Sequence, residues 1–277
     1  MRRCAPRGWI PGQTVTYEFR QALSQQPDLL ARYAKELAGA RVDVIVTIGQ
    51  TATQAAKDAT ATIPIVFTQT DDPVRTGLVA SFNRPGGNLT GYAVLGDQLR
   101  AKRVEALREL VPQARTLGIF LYNTPRTAQT MRVEASIEQS FASLGIRPIF
   151  AYAPTAADTD AAIDDAARQK ADALWLSGRN FDNAAAIAAA LLRNRLPAVA
   201  GDAALVEAGV LLSLGTDGDD ENAVIADLVD RILRGAKPAD LPVRQATEFE
   251  IVVNARTART LGLTVPPSLK VRARVVE

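Results

Sequence analysis

Short runs rich in valine, isoleucine and leucine recur along the chain, and each ends in a small polar loop that opens into a helical stretch. The clearest run is Val42–Ile48, followed by Gly49-Gln50-Thr51-Ala52. Others are Ile63–Thr68, Thr116–Tyr122 and Ala173–Leu176. Continuous apolar strands that alternate with helices are typical of a parallel sheet covered on both faces. Ligands of such sheets bind at the carboxyl ends of the strands, so the pattern predicts where the functional surface lies.

The length and composition predict a globular protein with two lobes. The chain has 277 residues, which is enough for two domains at roughly 100–200 residues each. Hydrophobic residues make up 47% of the sequence and aromatic residues only 5%, so we expect an aliphatic core. Because the formal net charge is only +2, no strong field attracts nucleic acid or an anionic membrane, and we expect no nucleic-acid partner.

Residues that commonly perform catalysis or bind metals are scarce in this sequence. It contains no histidine, which removes histidine-dependent triads, most zinc sites and the usual general base near neutral pH. The single cysteine, Cys4, has no second cysteine with which to form a disulfide or a thiolate metal site. We therefore expect no catalytic residues, no cofactor and no metal ion. The polar groups at the strand ends look suited to holding a ligand without converting it.

The start of the sequence differs from what the rest predicts. No stretch approaches the roughly 18–20 apolar residues of a membrane span, and the basic segment Met1–Arg7 is not followed by the apolar segment of a signal peptide. Gly8–Gly12 resembles the interior of a domain that enters a strand at Thr14–Phe19. We therefore expect that the first strand and the first helix of the fold are missing.

Two successive series of strands and helices predict the two lobes. The first series comprises helix Pro27–Ala38, strand Val42–Ile48, helix Thr51–Ala59, strand Ile63–Thr68, a short helix at Val74–Phe82 and strand Leu89–Val94. The second comprises helices Gln98–Leu110, Ala128–Leu144, Thr159–Lys170 and Asp182–Asn194 with strands Thr116–Tyr122, Pro148–Ala153, Ala173–Leu176 and Pro197–Ala200. The tail comprises strand Val210–Leu214, helix Asp220–Arg234, strand Phe249–Asn254 and a short helix ending near Leu263. A cleft between two such lobes is a favoured place for a small-molecule site.

Two strand-end loops of the first series carry candidate ligand-binding groups. In Gly49-Gln50-Thr51 the Thr51 hydroxyl and the free amides of the helix start suit a carboxylate, although a plain helix cap is the alternative. The loop lacks the further glycines of a dinucleotide site and the Gly-Lys-Ser/Thr of a P-loop. In Asp71-Asp72-Pro73 one carboxylate suits an ammonium group, and the other, Asp72, suits an Asx turn or a helix cap. A Mg²⁺ site there is the weaker interpretation.

The second series has equivalent loops. Asn123-Thr124-Pro125 and Ser177-Gly178-Arg179-Asn180 supply neutral hydrogen-bonding groups, and Arg179 is the strongest candidate for binding a carboxylate. Arg179 equally suits an exposed loop. Asp202 follows the strand that ends at Ala200 and suits an ammonium group, or alternatively the cap of a helix that begins at Ala203.

Specific strings in the sequence resemble one known family. The most specific is Asn83-Arg84-Pro85-Gly86-Gly87-Asn88, which lies within Gly77–Gly91. Others are Val42–Val46, Ile63–Phe67, Asp72-Pro73-Val74, Lys102–Pro112, Gly235–Val243, Phe249–Asn254, Thr257-Ala258 and Leu261–Leu269. Together they resemble the tryptophan/tyrosine-type ABC transporter substrate-binding proteins of the type 1 periplasmic-binding fold. The resemblance extends from about Gly8 onward.

The resemblance implies an α/β fold with two Rossmann-like lobes, parallel sheets and three hinge crossovers near Ala93, Leu214 and Leu241. The N-terminal lobe would comprise residues 1–92 and 215–241, and the C-terminal lobe residues 93–214 and 242–277. By similarity, the ammonium and carboxylate groups of an amino-acid-like ligand, aromatic in several members, would meet the strand-end loops in the cleft. The ligand-binding residues that this implies are Gln50, Thr51, Asp71, Asn123, Ser177, Arg179 and Asp202.

The function that the resemblance implies is that of a monomeric receptor without catalysis. It would be a periplasmic or otherwise extracytoplasmic protein that binds a small-molecule ligand and delivers it to an ABC permease. A ligand-sensing regulatory module of the same fold and a non-functional truncated copy are the alternatives, and the missing phosphate fingerprint disfavours a Rossmann-like enzyme. The solute stays open, and Tyr92, Tyr122 and Phe181 are candidates to stack on a ring, or else simply core residues.

Overall fold

A computed structural model of the chain describes residues 8–22, 26–70, 72–94, 96–122, 124–177, 183–216, 218–246 and 249–277. The helices are α1 (Pro27–Gly39), α2 (Gln50–Ala59), α3 (Gly96–Leu110), α4 (Ala128–Ala142), α5 (Thr159–Arg168), α6 (Ala184–Arg193), α7 (Ala203–Glu207), α8 (Gly218–Leu233), α9 (Ala255–Thr260) and α10 (Pro267–Arg272). The strands are β1 (Ile45–Ile48), β2 (Ile65–Thr70), β3 (Leu89–Ala93), β4 (Thr116–Tyr122), β5 (Arg147–Ala153), β6 (Ala173–Ser177), β7 (Ala198–Ala200), β8 (Leu212–Thr216), β9 (Arg244–Gln245), β10 (Phe249–Asn254) and β11 (Ala273–Val276).

The chain divides into two compact units. Met1–Gly96 and Thr216–Glu248 form the first unit, and Asp97–Gly215 and Phe249–Glu277 form the second. The predicted lobes, residues 1–92 with 215–241 and 93–214 with 242–277, divide the chain at neighbouring positions. The predicted division after residue 241 comes too early, because Val243 packs in the first core and β9 pairs with β3. Residues 242–246 therefore belong to the first unit.

The first unit contains a sheet of strand order β1-β2-β3-β9, and each of its pairings is parallel. Alternation along β2 sends neighbouring side chains to opposite faces. Ile65 and Phe67 pack with Ala56 of α2 on one face, whereas Val66 packs with Leu228 of α8 on the other. Helices on both faces explain why the strands read as continuous apolar runs.

The second unit contains a sheet of strand order β11-β10-β8-β7-β6-β4-β5. The pairings of β4 with β5 and β6, of β7 with β6 and β8, and of β10 with β11 are parallel. One core packs Phe120 and Leu174 of the sheet against Ile163 of α5 and Ile187 of α6. Among the described residues, side-chain caps begin three helices of this unit, at Thr127 for α4, at Asp202 for α7 and at Asn254 for α9, and such caps satisfy amides that lack an intrahelical acceptor.

Two predicted elements are wrong because local turns use their backbone groups instead. Thr14–Phe19 forms no strand: the backbone amides of Thr14 and Val15 donate to the Ile10 carbonyl, and Phe19 is 64% exposed. The short helix predicted at Val74–Phe82 is a series of turns. Its first turn is closed by Asp72, whose carboxylate accepts from the amides of Val74 and Arg75 at 2.9 and 3.0 Å.

In the described residues, the tail contains β9, α10 and β11 beyond the predicted elements, and β11 pairs with β10 at the margin of the second sheet. Across the residues described above, no helix combines the length and the apolar character that a membrane crossing requires.

Candidate functional site

The first turn of α2 lies at the carboxyl end of β1 and carries two predicted ligand-binding residues, Gln50 and Thr51. Gly49 precedes the helix with φ of +86°, a conformation that glycine adopts without steric cost. The Gly49 amide donates to the Thr68 carbonyl at 2.9 Å, which fixes the loop to the neighbouring strand. No side chain caps this helix. Its first amides therefore point toward any anion that approaches the strand end, as helix N-termini commonly do.

Gln50 and Thr51 are both half-buried at this turn. The Gln50 side-chain oxygen is buried and has no hydrogen-bond partner among the residues that the structure describes. A buried oxygen without a donor is unfavourable by about 1–3 kcal/mol, so a donor supplied from outside would stabilise it. The predicted roles of Gln50 and Thr51 in ligand binding stay predictions, and the structure places both at one helix start.

The end of β2 is irregular, and the irregularity turns Thr70 toward the α2 side of the sheet. The register with β3 shifts between Phe67 and Thr70, and Gln69 takes a left-handed φ of +54°, which is uncommon for a residue other than glycine. After this bulge, Thr70 pairs with Ala93, a residue of the core that contains α2. Thr70 is 1% exposed, and its hydroxyl has no partner within the described parts of the chain.

On the α8 side of the same strand end lies Glu221, a residue that no sequence motif identifies. It is 5% exposed. Its Oε1 accepts hydrogen bonds from the Thr68 hydroxyl at 2.7 Å and from the Gln69 side-chain amide at 3.2 Å. The neighbouring Asp220 accepts a longer bond, 3.4 Å, from the hydroxyl of Tyr92. The strand-end edge of the first unit, defined by Gln50, Thr51, Thr68, Gln69, Thr70, Asp220 and Glu221, is thus rich in hydrogen-bond acceptors.

Asp72 has the structural role that the sequence left open. Its carboxylate closes the Asx turn described above, so this carboxylate of the Asp71-Asp72 pair is used by the fold. Asp71 lies outside the described residues. In the described residues, no group of three Asp, Glu, Cys or His side chains is placed to hold a metal ion.

Asp202 caps a helix in the second unit, which is the alternative that its sequence position allowed. One of its carboxylate oxygens accepts from the Ala204 amide at 3.0 Å at the start of α7. Ser177 is the last residue of β6. Asn123, Arg179 and Phe181 lie outside the described residues. The ligand-binding roles predicted for Asp202, Ser177, Asn123 and Arg179 stay predictions.

Arg103 of α3 is a charged residue at the strand-end edge of the second unit that the motifs did not identify. Its Nε donates to the Leu214 carbonyl at 2.5 Å, and its guanidinium lies over the Trp175 ring, 5.4 Å from the centroid. A Cβ on Gly201 would come within 2.6 Å of Arg103 Nη2, so the guanidinium lies close against this glycine. The tertiary partners of Arg103 are distant in sequence, and no local pattern predicts them.

Of the proposed stacking residues, Tyr92 is a core residue that is 2% exposed. Tyr122 is half-buried and stacks on Phe120 with 6.3 Å between ring centroids. At the end of β5, burial and a hydrogen bond to Glu134 raise the pKa of Tyr152 to about 12. Tyr152 is therefore neutral at physiological pH.

Comparison with known proteins gives the family. The profile of the family described as ABC transporter substrate binding protein matches residues 7–277. A tyrosine-binding protein of Clostridioides difficile (strain R20291) is 27% identical over 260 residues, which cover 93% of this chain and 73% of that protein.

Solved structures agree with this match. A conserved domain protein from Vibrio cholerae is 29% identical with a TM-score of 0.80, and the alignment covers 100% of this chain and 92% of that one. An ABC domain from Streptococcus pneumonia, solved in complex with L-Trp, has a TM-score of 0.76 at 24% identity, with 99% and 93% coverage. The predicted α/β architecture of type 1 periplasmic-binding proteins is confirmed. Since the family profile spans nearly the whole sequence, the chain belongs to the ABC transporter substrate-binding proteins.

Proposed function

We propose that this protein is the extracytoplasmic solute-binding receptor of an ABC importer and that it binds a small amino-acid-like ligand, with aromatic amino acids as the first candidates. In this role the protein is a monomer that binds the solute, leaves it unchanged and delivers it to an ABC permease. The observation that carries the proposal is the family match over residues 7–277. The ligand class is supported by the relative named for tyrosine binding and by the structural neighbour that holds L-Trp.

The strand-end edge of the first unit supports an amino-acid ligand on chemical grounds. The uncapped start of α2 and the half-buried Thr51 offer donors to a carboxylate. The buried oxygen of Gln50 accepts from a donor such as an ammonium group, and none of the described residues supplies one. The two ends of an amino acid, an anion and a cation, match these two kinds of group. Asp71, Asn123, Ser177, Arg179 and Asp202 complete the proposed set of ligand-binding residues.

A thermal-shift screen of the twenty amino acids tests the proposal. Binding stabilises the folded state by RT ln(1 + [L]/Kd), which is about 2.7 kcal/mol at a hundredfold excess over Kd. We therefore expect at least one amino acid, with L-tyrosine and L-tryptophan tested first, to raise Tm by several degrees. If none of the twenty raises Tm, the proposed ligand class is wrong.

The variant Thr51→Val tests the position of the site. Loss of one hydroxyl donor to a carboxylate should weaken the affinity for the best amino acid about 10-fold, as expected for a hydrogen bond to a charged group. The matched control is Thr62→Val, which removes an exposed hydroxyl ahead of β2, at the opposite end of that strand. An equal affinity in both variants would place the carboxylate elsewhere.

A further inference from the structure

Thr70 is the exception among the buried threonines that the structure describes in the first unit. It is 1% exposed, and its hydroxyl has no hydrogen-bond partner among the described residues. The hydroxyls of the other buried threonines in this unit all have partners within the protein; these residues are Thr47, Thr53, Thr68 and Thr90. Buried polar groups are almost always paired in folded proteins. Valine would fill the same space without an unpaired hydroxyl, so packing alone does not account for threonine at this position.

A bulge in β2 directs this hydroxyl to the α2 face of the sheet. Regular alternation would place Thr70 on the same face as Val66 and Thr68, which is the α8 face. The register shift before Thr70 and the left-handed φ of +54° at Gln69 reverse this, and Thr70 pairs with Ala93 of the core that contains α2. Bulges often redirect a side chain next to a functional site. Backbone in a sparsely populated conformation is likewise concentrated at such sites.

The start of α2 lies on that face, at the same edge of the sheet. The loop before α2 is fixed beside β2, because the Gly49 amide donates to the Thr68 carbonyl at 2.9 Å. The next residue, Gln50, has a buried side-chain oxygen without a partner in the described parts of the chain. No side chain caps the first amides of this helix, which favour an anion. The edge thus presents two unpaired oxygens beside a helix start, and an α-amino acid carries an ammonium donor and a carboxylate on one carbon.

We propose that Thr70 is a ligand-binding residue that recognises the ammonium group of the solute. Its hydroxyl oxygen and the side-chain oxygen of Gln50 accept from two of the three N–H donors of that group. The inference rests on the proposed function and adds the residue that distinguishes an amino acid from the same acid without its amino group. An acid without the amino group leaves both oxygens buried and unpaired, and a site built for hydrogen bonds rejects such an analogue strongly. We expect a preference of at least about 10-fold for the amino acid.

Two other roles of the Thr70 hydroxyl predict different results. If the hydroxyl donates to the carboxylate of the ligand, its removal weakens the amino acid and the analogue alike, because both carry the carboxylate. If the hydroxyl belongs only to the packing of the first unit, its removal leaves the ratio of the two affinities unchanged. Only a hydroxyl that binds the ammonium group gives a loss that is specific to the amino acid.

The experiment measures the affinities of L-tyrosine and of 3-(4-hydroxyphenyl)propionate, its analogue without the amino group, by titration calorimetry. The proteins are the wild type, Thr70→Val, which keeps the shape and removes the hydroxyl, and Thr70→Ser, which keeps the hydroxyl. We expect Thr70→Val to weaken L-tyrosine about 10-fold, as for loss of a hydrogen bond to a charged group, and to change the analogue less than about twofold. Thr70→Ser should keep the wild-type preference.

The matched control is Thr90→Val in the neighbouring strand. The Thr90 hydroxyl is also buried, but it donates to the Leu241 carbonyl at 2.8 Å. Its removal affects the fold and not the ammonium site, so the ratio of the two affinities should stay at the wild-type value. L-tryptophan and 3-(indol-3-yl)propionate form a second pair of ligands with the same difference between them.

The outcomes distinguish this inference from the proposed function. If Thr70→Val keeps the wild-type ratio of affinities, or if Thr70→Ser loses it to the same extent, Thr70 does not bind the ammonium group while the receptor function stands. Equal affinities of the wild-type protein for the two members of each pair also overturn the inference. If none of the four compounds binds, the proposed aromatic ligand is wrong, and the assignment of Thr70 fails with it.

Discussion

The strand-end edges of the two units use their polar residues differently. In the first unit the hydroxyl of Thr70 and the side-chain oxygen of Gln50 are buried without donors among the described residues, and Glu221 Oε1 accepts from the Thr68 hydroxyl and the Gln69 side-chain amide. In the second unit Asp202 caps a helix and Arg103 is bonded to a main-chain carbonyl. The contrast teaches that, in the described part of the chain, the first edge leaves two buried oxygens without a donor, whereas the polar groups named in the second unit are used by the fold.

The largest effect that we expect concerns the second unit, where the main chain at Gly215 lies close to the main chain at Gly201. A Cβ on Gly215 of β8 would lie 2.2 Å from the Gly201 carbonyl oxygen, so Gly215→Ala must displace main chain. We expect a loss of about 3 kcal/mol in the free energy of unfolding, measured by urea denaturation. Gly39→Ala is the control, because nothing lies within 4 Å of its Cβ and alanine favours a helix. Equal free energies of unfolding for the two variants would show that the second unit does not depend on the close contact between Gly215 and Gly201.

The next prediction concerns Arg103, which we expect to stabilise the fold instead of binding the ligand. Arg103→Met removes the bond to the Leu214 carbonyl and the contact with the Trp175 ring. We expect the free energy of unfolding to fall by about 1–2 kcal/mol while the affinity for the best amino acid changes less than about threefold. The exposed Arg115→Met is the control for loss of charge. A drop in affinity of about 10-fold or more would show that Arg103 takes part in ligand binding.

A smaller effect, an increase in the free energy of unfolding, is expected for a change at Thr70 in the strand-end edge of the first unit. Thr70→Val replaces an unsatisfied buried hydroxyl with a methyl of similar size, so the free protein should gain about 1 kcal/mol of stability. The same change should weaken ligand binding. Thr90→Val is the matched control in the neighbouring strand, because the Thr90 hydroxyl donates to the Leu241 carbonyl at 2.8 Å, and its loss should destabilise by about 1 kcal/mol. Destabilisation by both variants would mean that Thr70 has a partner in the free protein.

The smallest effect that we expect is the pH dependence of stability that arises from Tyr152 on β5, an edge strand of the second sheet. Burial, with the 2.5 Å hydrogen bond to Glu134, raises the pKa of Tyr152 to about 12, against about 10 in an unfolded chain. Arg126 also faces this pair, 3.8 Å from Glu134. The contribution of Tyr152 to stability is therefore complete below pH of about 10 and is lost as pH rises through about 12. Between pH of about 10 and about 12, the free energy of unfolding should fall more steeply in the wild-type protein than in Tyr152→Phe. Parallel curves of this free energy against pH for the two proteins would contradict the raised pKa of Tyr152.

Much of the fold was predictable because it follows from the local pattern of apolar residues. Strands β4 and β10 begin and end where the apolar runs Thr116–Tyr122 and Phe249–Asn254 predict, and the second run ends at Asn254, the cap of α9. The strand expected at Thr14–Phe19 has the composition of a strand but no neighbour in the first sheet. Its first residues, Thr14 and Val15, instead close a turn on Ile10. Sheet pairing is a tertiary property, and alternation alone does not guarantee a partner.

The candidate site was only partly predictable, for a related reason. Gln50 and Thr51 were predicted to lie at a helix start because a glycine before a helix is a local signal, and their ligand-binding roles stay predictions. Glu221 and Thr70 were missed because their roles depend on a bulge and on a helix that returns to β2 from 153 positions away in sequence. The sequence allowed Asp72 to form a turn and Asp202 to cap a helix, and both residues do so in the structure. Short-range patterns therefore identify capping residues more readily than they identify residues whose partners lie far away in sequence.

The most direct test of the receptor function is a calorimetric titration of the wild-type protein with L-tyrosine and with its analogue that lacks the amino group, followed by recovery of the ligand. We expect saturable binding of one amino acid per chain, at least about 10-fold weaker binding of the analogue, and a ligand recovered chemically unchanged. Equal affinities for the two ligands, no saturable heat with either, or a chemically altered product would contradict the proposed receptor function.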